Sequence, residues 1–169
     1  WPLEAVCEHL EAITRKELDP PRLLINVPPG FMKSLLTDVF WPAWEWGPMG
    51  LAHIRYVAFS YSASLTLRDN RRFLDLLSHD RYQDLYGHPW EATWEKGAAR
   101  RRTPVVLRKI GETLVSNSRK GWKLATSVGG VGTGERGNRV ILDDPHNVKE
   151  QESDVVRTET VRWFREAMS

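Results

Sequence analysis

Apolar residues recur along the chain at two spacings, one typical of amphipathic helices and one typical of short buried strands. The helical spacing predicts helices over residues 3–17, from about 33 to about 41, 62–77 and 154–168. Asp19-Pro20-Pro21 is expected to stop the first helix, and Pro42 to end or kink the second. In the 62–77 helix, Leu77 is predicted to face inward, whereas Arg68 and Asp69 are predicted to face outward.

Short apolar runs predict strands between these helices. The predicted strands are Leu23–Val27, Ile54–Phe59, Thr113–Ser116, Lys123–Val128 and Arg139–Leu142. The third and fourth are expected to pair as a hairpin across the turn at residues 117–121. Because most strands are separated by helices, the pattern favours an α/β fold with a mainly parallel sheet and helices on both faces.

Composition narrows the class of protein. A chain of 169 residues with 41% hydrophobic and 27% charged residues is typical of one folded domain and not of a disordered or fibrous protein. Cys7 is the only cysteine, which excludes a disulfide scaffold. No apolar run approaches the roughly 20 residues that span a bilayer, so no membrane partner is expected.

Basic residues are concentrated in one segment. Between Lys96 and Lys123 there are nine Lys or Arg residues and one acid, Glu112, which gives a local charge of +8. The Arg100–Arg102 cluster has the charge to contact DNA phosphates without sequence preference. The alternative is that the segment is a solvated loop or an edge hairpin.

A first group of residues suggests phosphate binding. A predicted buried strand is followed by a Pro-Pro-Gly turn and then by Lys33 and Ser34 at a helix start. A phosphate-binding loop needs backbone N–H groups around the anion, an ammonium for the β- and γ-phosphates, and a hydroxyl for Mg²⁺. The consensus glycines are replaced by Met32 and Val27, so an ordinary strand–turn–helix with a surface lysine stays open. The candidate phosphate-binding residues are Pro29, Gly30, Phe31, Met32, Lys33 and Ser34.

A second group supplies carboxylates. The predicted strand Arg139–Leu142 delivers Asp143 and Asp144 at its C-terminal end, about 110 residues after the Lys-Ser pair. In nucleotide hydrolysis one such carboxylate serves Mg²⁺ and its neighbour orients the attacking water. Two acids before Pro145 could equally cap a turn, but their combination with a Lys-Ser loop is a rarer coincidence.

These motifs, taken together, resemble the large subunit of the terminase of tailed bacteriophages, the motor that packages DNA into the procapsid. The segments that carry the resemblance are Glu8–Ala12, Arg22–Gly30, Met32–Ser34, Phe59–Asp69, Arg81–Gly87, Ser127–Gly130, Thr133–Gly137 and Asp143–His146. They span essentially the whole chain. The Pro-Pro-Gly loop is a familiar variant in this family, which accounts for the missing glycines.

The resemblance implies a single P-loop ATPase domain of the additional-strand class over residues 1–169, with ATP and Mg²⁺ as cofactors. By motif match, Lys33 contacts the phosphates, Ser34 and Asp143 serve Mg²⁺, and Asp144 activates the water. Many relatives have Glu at the position of Asp144. Arg136 matches a position that reaches the ATP of a neighbouring subunit as an arginine finger; the alternative is a loop arginine in solvent.

The same resemblance implies the partners: double-stranded DNA, the portal protein, the small terminase subunit and other copies of the chain in a ring. It places the protein in the host-cell cytoplasm, at the procapsid portal during packaging. The coupling strand and nuclease domain of the family are not found among these residues, so weak activity is expected of the fragment alone. Two other functions stay open: a helicase-like ATPase, and a nucleic-acid-binding or assembly module with a degenerate, non-hydrolysing loop.

Overall fold

The fold is known from a computed structural model, which describes residues 2–86, 107–130, 135–146 and 153–167. The helices are α1 Pro2–Arg15, a π-helix Leu35–Phe40, α2 Trp41–Trp46, α3 Ala63–Ser78, α4 Asp80–Tyr86 and α5 Asp154–Ala167. The strands are β1 Arg55–Ser60, β2 Leu107–Ile110, β3 Leu114–Asn117, β4 Trp122–Ser127 and β5 Arg139–Leu142. None of the helices in the described ranges is long and apolar enough to cross a membrane.

The five strands form one sheet in the order β2-β3-β4-β1-β5. β1 is parallel to both β4 and β5, whereas β3 is antiparallel to β2 and to β4. Four of the five strands therefore run in the same direction, with β3 as the exception. This strand order confirms the predicted α/β class, the mostly parallel sheet and the β3–β4 hairpin.

Helices pack against both faces of the sheet. One face carries Tyr56 and Ala58 of β1 in the main apolar core, together with residues of α1, the π-helix, α2 and α3. On the opposite face, Phe59 of β1 meets Trp163 of α5 edge-to-face, with ring centroids 5.0 Å apart. β1 is thus covered on both sides, which is the usual environment of a parallel strand.

The second predicted helix continues past the expected stop. Residues 33–46 form one uninterrupted helical segment, called the 33–46 helix below, and Pro42 lies inside it. The backbone N–H of Trp41 donates to the carbonyl of Leu36, five residues earlier, so the turn before the proline is wider than an α-turn. A wider turn leaves room for the proline ring, which would clash with the carbonyl four residues earlier in an α-helix.

The predicted strand Leu23–Val27 is wrong, because this segment has no place in the sheet that the described residues form. Alternate side chains are partly buried, but Leu24 is 92% exposed. Two proline pairs, Pro20-Pro21 and Pro28-Pro29, flank the run and remove backbone donors at both ends. The continuous apolar run therefore packs by alternate side chains without ladder hydrogen bonds.

Two further expectations also require correction. Asp69, predicted to face solvent from α3, is 3% exposed and forms ion pairs with Arg68 and Arg72 at 2.8 and 3.0 Å. Strand β2 was not predicted, because its short sequence carries two basic residues and no alternating pattern. It adds an outer strand to the hairpin.

A buried glutamate of α2 is hydrogen-bonded to residues of three other elements, α1, β1 and β5. Glu45 of α2 is fully buried and accepts hydrogen bonds from Thr14 of α1 at 2.7 Å and from Arg139 of β5 at 2.9 Å. The hydroxyl of Tyr56 in β1 donates to its other oxygen. Burial, followed by the nearby Glu45 charge, raises the pKa of Tyr56, so this hydroxyl stays a donor. The Arg139 guanidinium also lies 5.5 Å from the centre of the Trp41 ring.

Replacing this glutamate should strongly destabilise the fold. Glu45→Ala leaves the Arg139 guanidinium without its carboxylate partner in a largely buried position, and breaking such a pair costs about 3–5 kcal/mol. The free energy of unfolding from urea titrations measures this loss. Glu11→Ala, which removes an exposed pair with Arg15 at 2.7 Å, is the control and should cost less than about 1 kcal/mol. Equal losses for the two variants would refute the assigned role of Glu45.

Candidate functional site

The start of the 33–46 helix meets the C-terminal end of β5. The ammonium of Lys33 lies 3.0 Å from Oδ1 of Asp143 and 2.5 Å from Oδ1 of Asp144. The hydroxyl of Ser34 donates to Oδ2 of Asp143 at 2.6 Å. The four side chains that the sequence singled out from two distant segments are therefore one contiguous polar cluster.

Backbone hydrogen bonds to β1 hold the acidic pair. The N–H of Asp143 donates to the carbonyl of Phe59 at 2.8 Å, and the N–H of Tyr61 donates to the carbonyl of Asp144 at 3.1 Å. The hydroxyl of Ser60 also lies 3.5 Å from that carbonyl oxygen. Asp144 has φ of 44°, in the left-handed region that non-glycine residues seldom adopt. The end of β5 is thus turned sharply, and strained backbone of this kind is concentrated at functional sites.

The loop that precedes Lys33 also has left-handed residues. Gly30 has φ of 89° and Met32 has φ of 52°. Positive φ at these two positions turns the backbone sharply, and turns of this kind can present N–H groups to an anion. Because Pro28 and Pro29 have no N–H, the donors of this loop can begin only at Gly30. The N–H groups of the first helical turn, which have no partner within a helix, extend the same donor surface.

The charges of the cluster are unequally exposed. The side chain of Asp143 is 13% exposed and that of Asp144 is 63% exposed. Partial burial alone would lower the pKa of Lys33, but its hydrogen bonds to Asp144 and Asp143 outweigh burial and raise the pKa above its ordinary value. Lys33 therefore stays a cation at neutral pH, and Asp144 is the carboxylate that solvent can reach.

The oxygen atoms of the cluster fit Mg²⁺ as part of a shared site. Ser34 and Asp143 place a hydroxyl and a carboxylate oxygen 2.6 Å apart, and oxygen ligands are those that Mg²⁺ prefers. Among the described residues, no group of three or more His, Cys, Asp or Glu could hold a metal ion by itself. Two protein oxygens leave the remaining positions to water and phosphate, which is how Mg²⁺ usually binds beside a nucleotide.

The other predicted contact residues are not part of this cluster in the described structure. Arg136 lies exposed in the segment that leads into β5. The Arg100–Arg102 cluster and the rest of 87–106 lie outside the described residues. Lys123, the last member of the predicted DNA-binding segment, is fully buried on β4, so its assignment to a DNA-contacting surface is wrong. Its position opposite Tyr56 in the β1–β4 register places it on the covered face of the sheet.

The structure also brings in residues that the sequence reasoning missed. The Thr37 hydroxyl lies 3.1 Å from the carbonyl of Lys33 and 2.9 Å from the carboxylate of Asp38, and its one hydrogen can be donated to either; Asp38 is buried one turn after the Lys-Ser pair. Spacing was the available signal, since Thr37 and Asp38 follow Lys33 and Ser34 by four residues, one helical turn.

Comparisons of the chain with protein-family models, with curated proteins and with solved structures give no match.

Proposed function

We propose that the chain is an ATPase that hydrolyses ATP with Mg²⁺ at the cluster of Lys33, Ser34, Asp143 and Asp144. The observation that carries the proposal is the meeting of a Lys-Ser pair at a helix start with two carboxylates at a strand end, at 2.5–3.0 Å. A cation, a hydroxyl, free N–H groups and two carboxylates are the components that phosphoryl transfer requires. The left-handed loop at Gly30 and Met32 supports the same function.

Each residue has a distinct role in this proposal. Lys33 leaves its carboxylate partners to contact the phosphates, and the N–H groups of Gly30 and of Met32 to Ser34 bind phosphate oxygens, whereas the N–H of Phe31 donates to the carbonyl of Pro28. Ser34 and Asp143 hold Mg²⁺, which neutralises charge on the β- and γ-phosphates. Asp144 has an exposed side chain, and its backbone carbonyl is held by the N–H of Tyr61. Its carboxylate orients the attacking water and accepts its proton.

We further propose that this ATPase belongs to a DNA-packaging motor similar to the terminase large subunit of tailed phages. This part rests on the motif resemblance from Glu8 to His146, which includes the Pro-Pro-Gly variant of the loop. Double-stranded DNA, a portal protein, a small terminase subunit and further copies of the chain in a ring are the partners that it entails. Basic residues of the segment from Lys96 to Lys120 remain the proposed DNA contacts, without Lys123.

Phosphate release from ATP tests the proposed activity. The wild-type chain should release phosphate with Mg²⁺ and should not release it in EDTA, because without the cation Lys33 alone among the four cluster side chains offsets the phosphate charge, while Asp143 and Asp144 repel it. Binding of ATP–Mg²⁺ without any hydrolysis would favour the non-hydrolysing module instead.

Arg136 gives a prediction about assembly. If Arg136 reaches the ATP of a neighbouring copy, turnover per chain should rise with protein concentration, and Arg136→Ala should remove that rise. ATP affinity at low concentration should be unchanged, because the cluster at Lys33 is intact. Arg119→Ala, an exposed arginine in the β3–β4 turn, is the matched control. Turnover that is independent of concentration and unaffected by Arg136→Ala would contradict the role in trans.

A further inference from the structure

The starts of the parallel strands form an edge of the sheet that lies opposite the candidate site. β1, β4 and β5 run in the same direction, so their first residues meet at one edge, whereas Asp143 and Asp144 follow β5 at the other. In the strand register, Arg55 at the start of β1 lies beside Trp122 at the start of β4. The turn that precedes β4 is therefore next to the start of β1.

This edge carries positive charge. Arg55, Arg119 and Lys120 are exposed, and these three residues are called the basic edge below. The segments that supply them, 47–55 and 117–121, contain no acidic residue, so the basic edge has a formal charge of +3. The short segment that leads into β5 has one acid and one base and adds no net charge. The two ends of the parallel strands thus carry opposite charges.

Hydrogen bonds hold the β3–β4 turn against the loop before β1. The side-chain amide of Asn117 donates to the carbonyl of Ala52 at 2.8 Å. Its side-chain oxygen accepts from the N–H of Arg119 at 2.8 Å and from the N–H of Gly121 at 3.2 Å. A Cβ on Gly121 would overlap the carbonyl oxygen of Ala52, so the turn and the loop are in close contact. The turn and the start of β1 are therefore parts of one surface.

The backbone of Arg55 is also fixed, from the side of β5. Its N–H donates to the side-chain oxygen of Asn138 at 3.0 Å, and its carbonyl accepts from the N–H of Asn138 at 2.8 Å. None of the ion pairs within the described ranges includes Arg55 or Lys120. Both charges are thus held at fixed places on the edge, and no carboxylate in that part of the chain offsets them.

Lys120 has a backbone conformation that is unfavourable for lysine. Its φ is 69°, in the left-handed region, where tight turns usually have Gly or Asn. Lysine at this position costs stability relative to glycine, and strained residues of this kind are concentrated at functional sites. The conformation of Lys120 is a second indication, separate from its charge, that the turn has a function.

The charge density of the basic edge fits a nucleic-acid duplex. Neighbouring strand starts are about 4.8 Å apart, so the three cations are close together. A DNA duplex carries one negative charge per about 1.7 Å of its length, whereas an extended acidic peptide carries at most one per about 3.4 Å. Guanidinium and ammonium groups form charge-assisted hydrogen bonds with phosphate oxygens. A duplex therefore offers the basic edge more negative charge over the same distance than an acidic peptide does.

We propose that the basic edge binds the phosphate backbone of double-stranded DNA, without sequence preference, at the end of the sheet opposite Lys33. This proposal rests on the proposed function for the role of DNA as a partner, but it needs no nucleotide and is testable without it. Because the two sites lie at opposite ends of the parallel strands, DNA and ATP bind to separate surfaces.

The test is a titration of a fluorescent DNA duplex of mixed sequence with the whole chain, without nucleotide and at several salt concentrations. The edge variants are Arg55→Gln, Arg119→Gln, Lys120→Gln and the triple variant. The matched control combines three substitutions of exposed arginines elsewhere, which remove the same total charge: Arg22→Gln, Arg81→Gln and Arg165→Gln. The single variants keep the test informative if a triple variant folds poorly.

Each edge variant should weaken DNA binding by the loss of one phosphate contact. At about 0.1 M salt, we expect a loss of about tenfold for each single variant and about 100-fold or more for the triple variant. The slope of log affinity against log salt should become shallower by about 0.9 for each contact removed. The control variant should lose less than about threefold, with its slope unchanged, because distant charges are screened. Equal losses and equal slopes for the two triple variants would overturn the basic edge.

Further outcomes separate this surface from the ATP site and from other partners. ATP–Mg²⁺ affinity without DNA should be the same in the triple edge variant and in wild type. An edge-specific loss of DNA binding in a chain that binds no ATP would support the basic edge and reject the proposed function. The absence of duplex binding by wild type at low salt would overturn the basic edge whatever the ATP result. Displacement of the duplex by polyglutamate of equal charge, as readily as by unlabelled duplex, would overturn DNA in favour of an acidic protein.

Discussion

Lys33→Ala is expected to weaken binding of ATP–Mg²⁺ by about 100-fold or more. The substitution removes a charge-assisted contact to phosphate, and such contacts contribute about 1.5–3 kcal/mol each. In the wild type, the Lys33 ammonium lies 3.0 Å from the carboxylate of Asp143 and 2.5 Å from that of Asp144 and offsets their charge. Without Lys33, both carboxylates would repel the phosphates. Both effects act in the same direction, so the loss should exceed that of an ordinary surface lysine. Titration with a fluorescent nucleotide measures it.

The control for this prediction is Arg81→Ala, which removes one positive charge from an exposed position on α4. It should leave nucleotide affinity unchanged within about twofold, since exposed charges more than a Debye length apart are largely screened. The same loss of affinity for Arg81→Ala and Lys33→Ala would mean that overall charge, and not a phosphate site at Lys33, determines binding.

Asp144→Asn is expected to separate binding from hydrolysis. Asn keeps the shape of the side chain and tolerates the left-handed backbone at φ of 44°, so the turn after β5 should persist. Affinity should be equal to that of wild type or slightly higher, because the neutral amide competes less strongly for Lys33. Turnover should fall by about 10²–10⁴-fold, the usual contribution of a general base. Single-turnover hydrolysis at saturating ATP–Mg²⁺ measures the chemical step.

Asp143→Asn is the companion variant. Asp143 is 13% exposed and bonds to Ser34, so its loss should weaken Mg²⁺-dependent binding as well as turnover. Identical effects of Asp143→Asn and Asp144→Asn on affinity would contradict the division of roles between the two carboxylates. Binding by Lys33→Ala that equals binding by Asp144→Asn would contradict the assignment of Lys33.

The residues of the site could be predicted from sequence because their chemistry is complementary. A Lys-Ser pair at a helix start supplies a cation and a hydroxyl, and two acids after a short apolar strand supply the carboxylates that they contact. The sheet that should bring them together was only partly predicted, because β5 lies in it whereas Leu23–Val27, the strand expected before the Lys-Ser pair, does not. Arg136 could not be placed in the same way, since it lies in a loop whose course periodicity does not determine, and the residues around Arg100 lie outside the described residues. The positive φ of Asp144 could not be predicted from sequence either, because the Asp144 carbonyl is held by hydrogen bonds from Ser60 and Tyr61, which are far away along the chain.

Errors in the fold prediction arose where tertiary contacts override local preference. Pro42 was predicted to end or kink a helix that in fact continues through it, because a π-turn makes room for its ring. Leu23–Val27 was predicted as a buried strand, although flanking prolines limit its backbone pairing. Asp69 and Lys123 were assigned to exposed surfaces on the strength of their charge, yet both are buried, Asp69 against Arg68 and Arg72 and Lys123 against Asn70. The burial of a charged residue can be predicted only once its partners in the fold are known.

Thermal unfolding in the presence of ATP–Mg²⁺ is the most direct test of whether nucleotide binds where the 33–46 helix meets β5. A ligand that binds only the folded state stabilises it by about 2.7 kcal/mol at 100 times its dissociation constant, which should raise the Tm by several degrees for a domain of this size. We expect this rise for the wild-type chain and for Asp144→Asn, a smaller rise without Mg²⁺, and none for Lys33→Ala at the same concentrations. An equal rise in wild type and Lys33→Ala, or none in wild type at millimolar ATP–Mg²⁺, would contradict a nucleotide site at the junction of the 33–46 helix and β5.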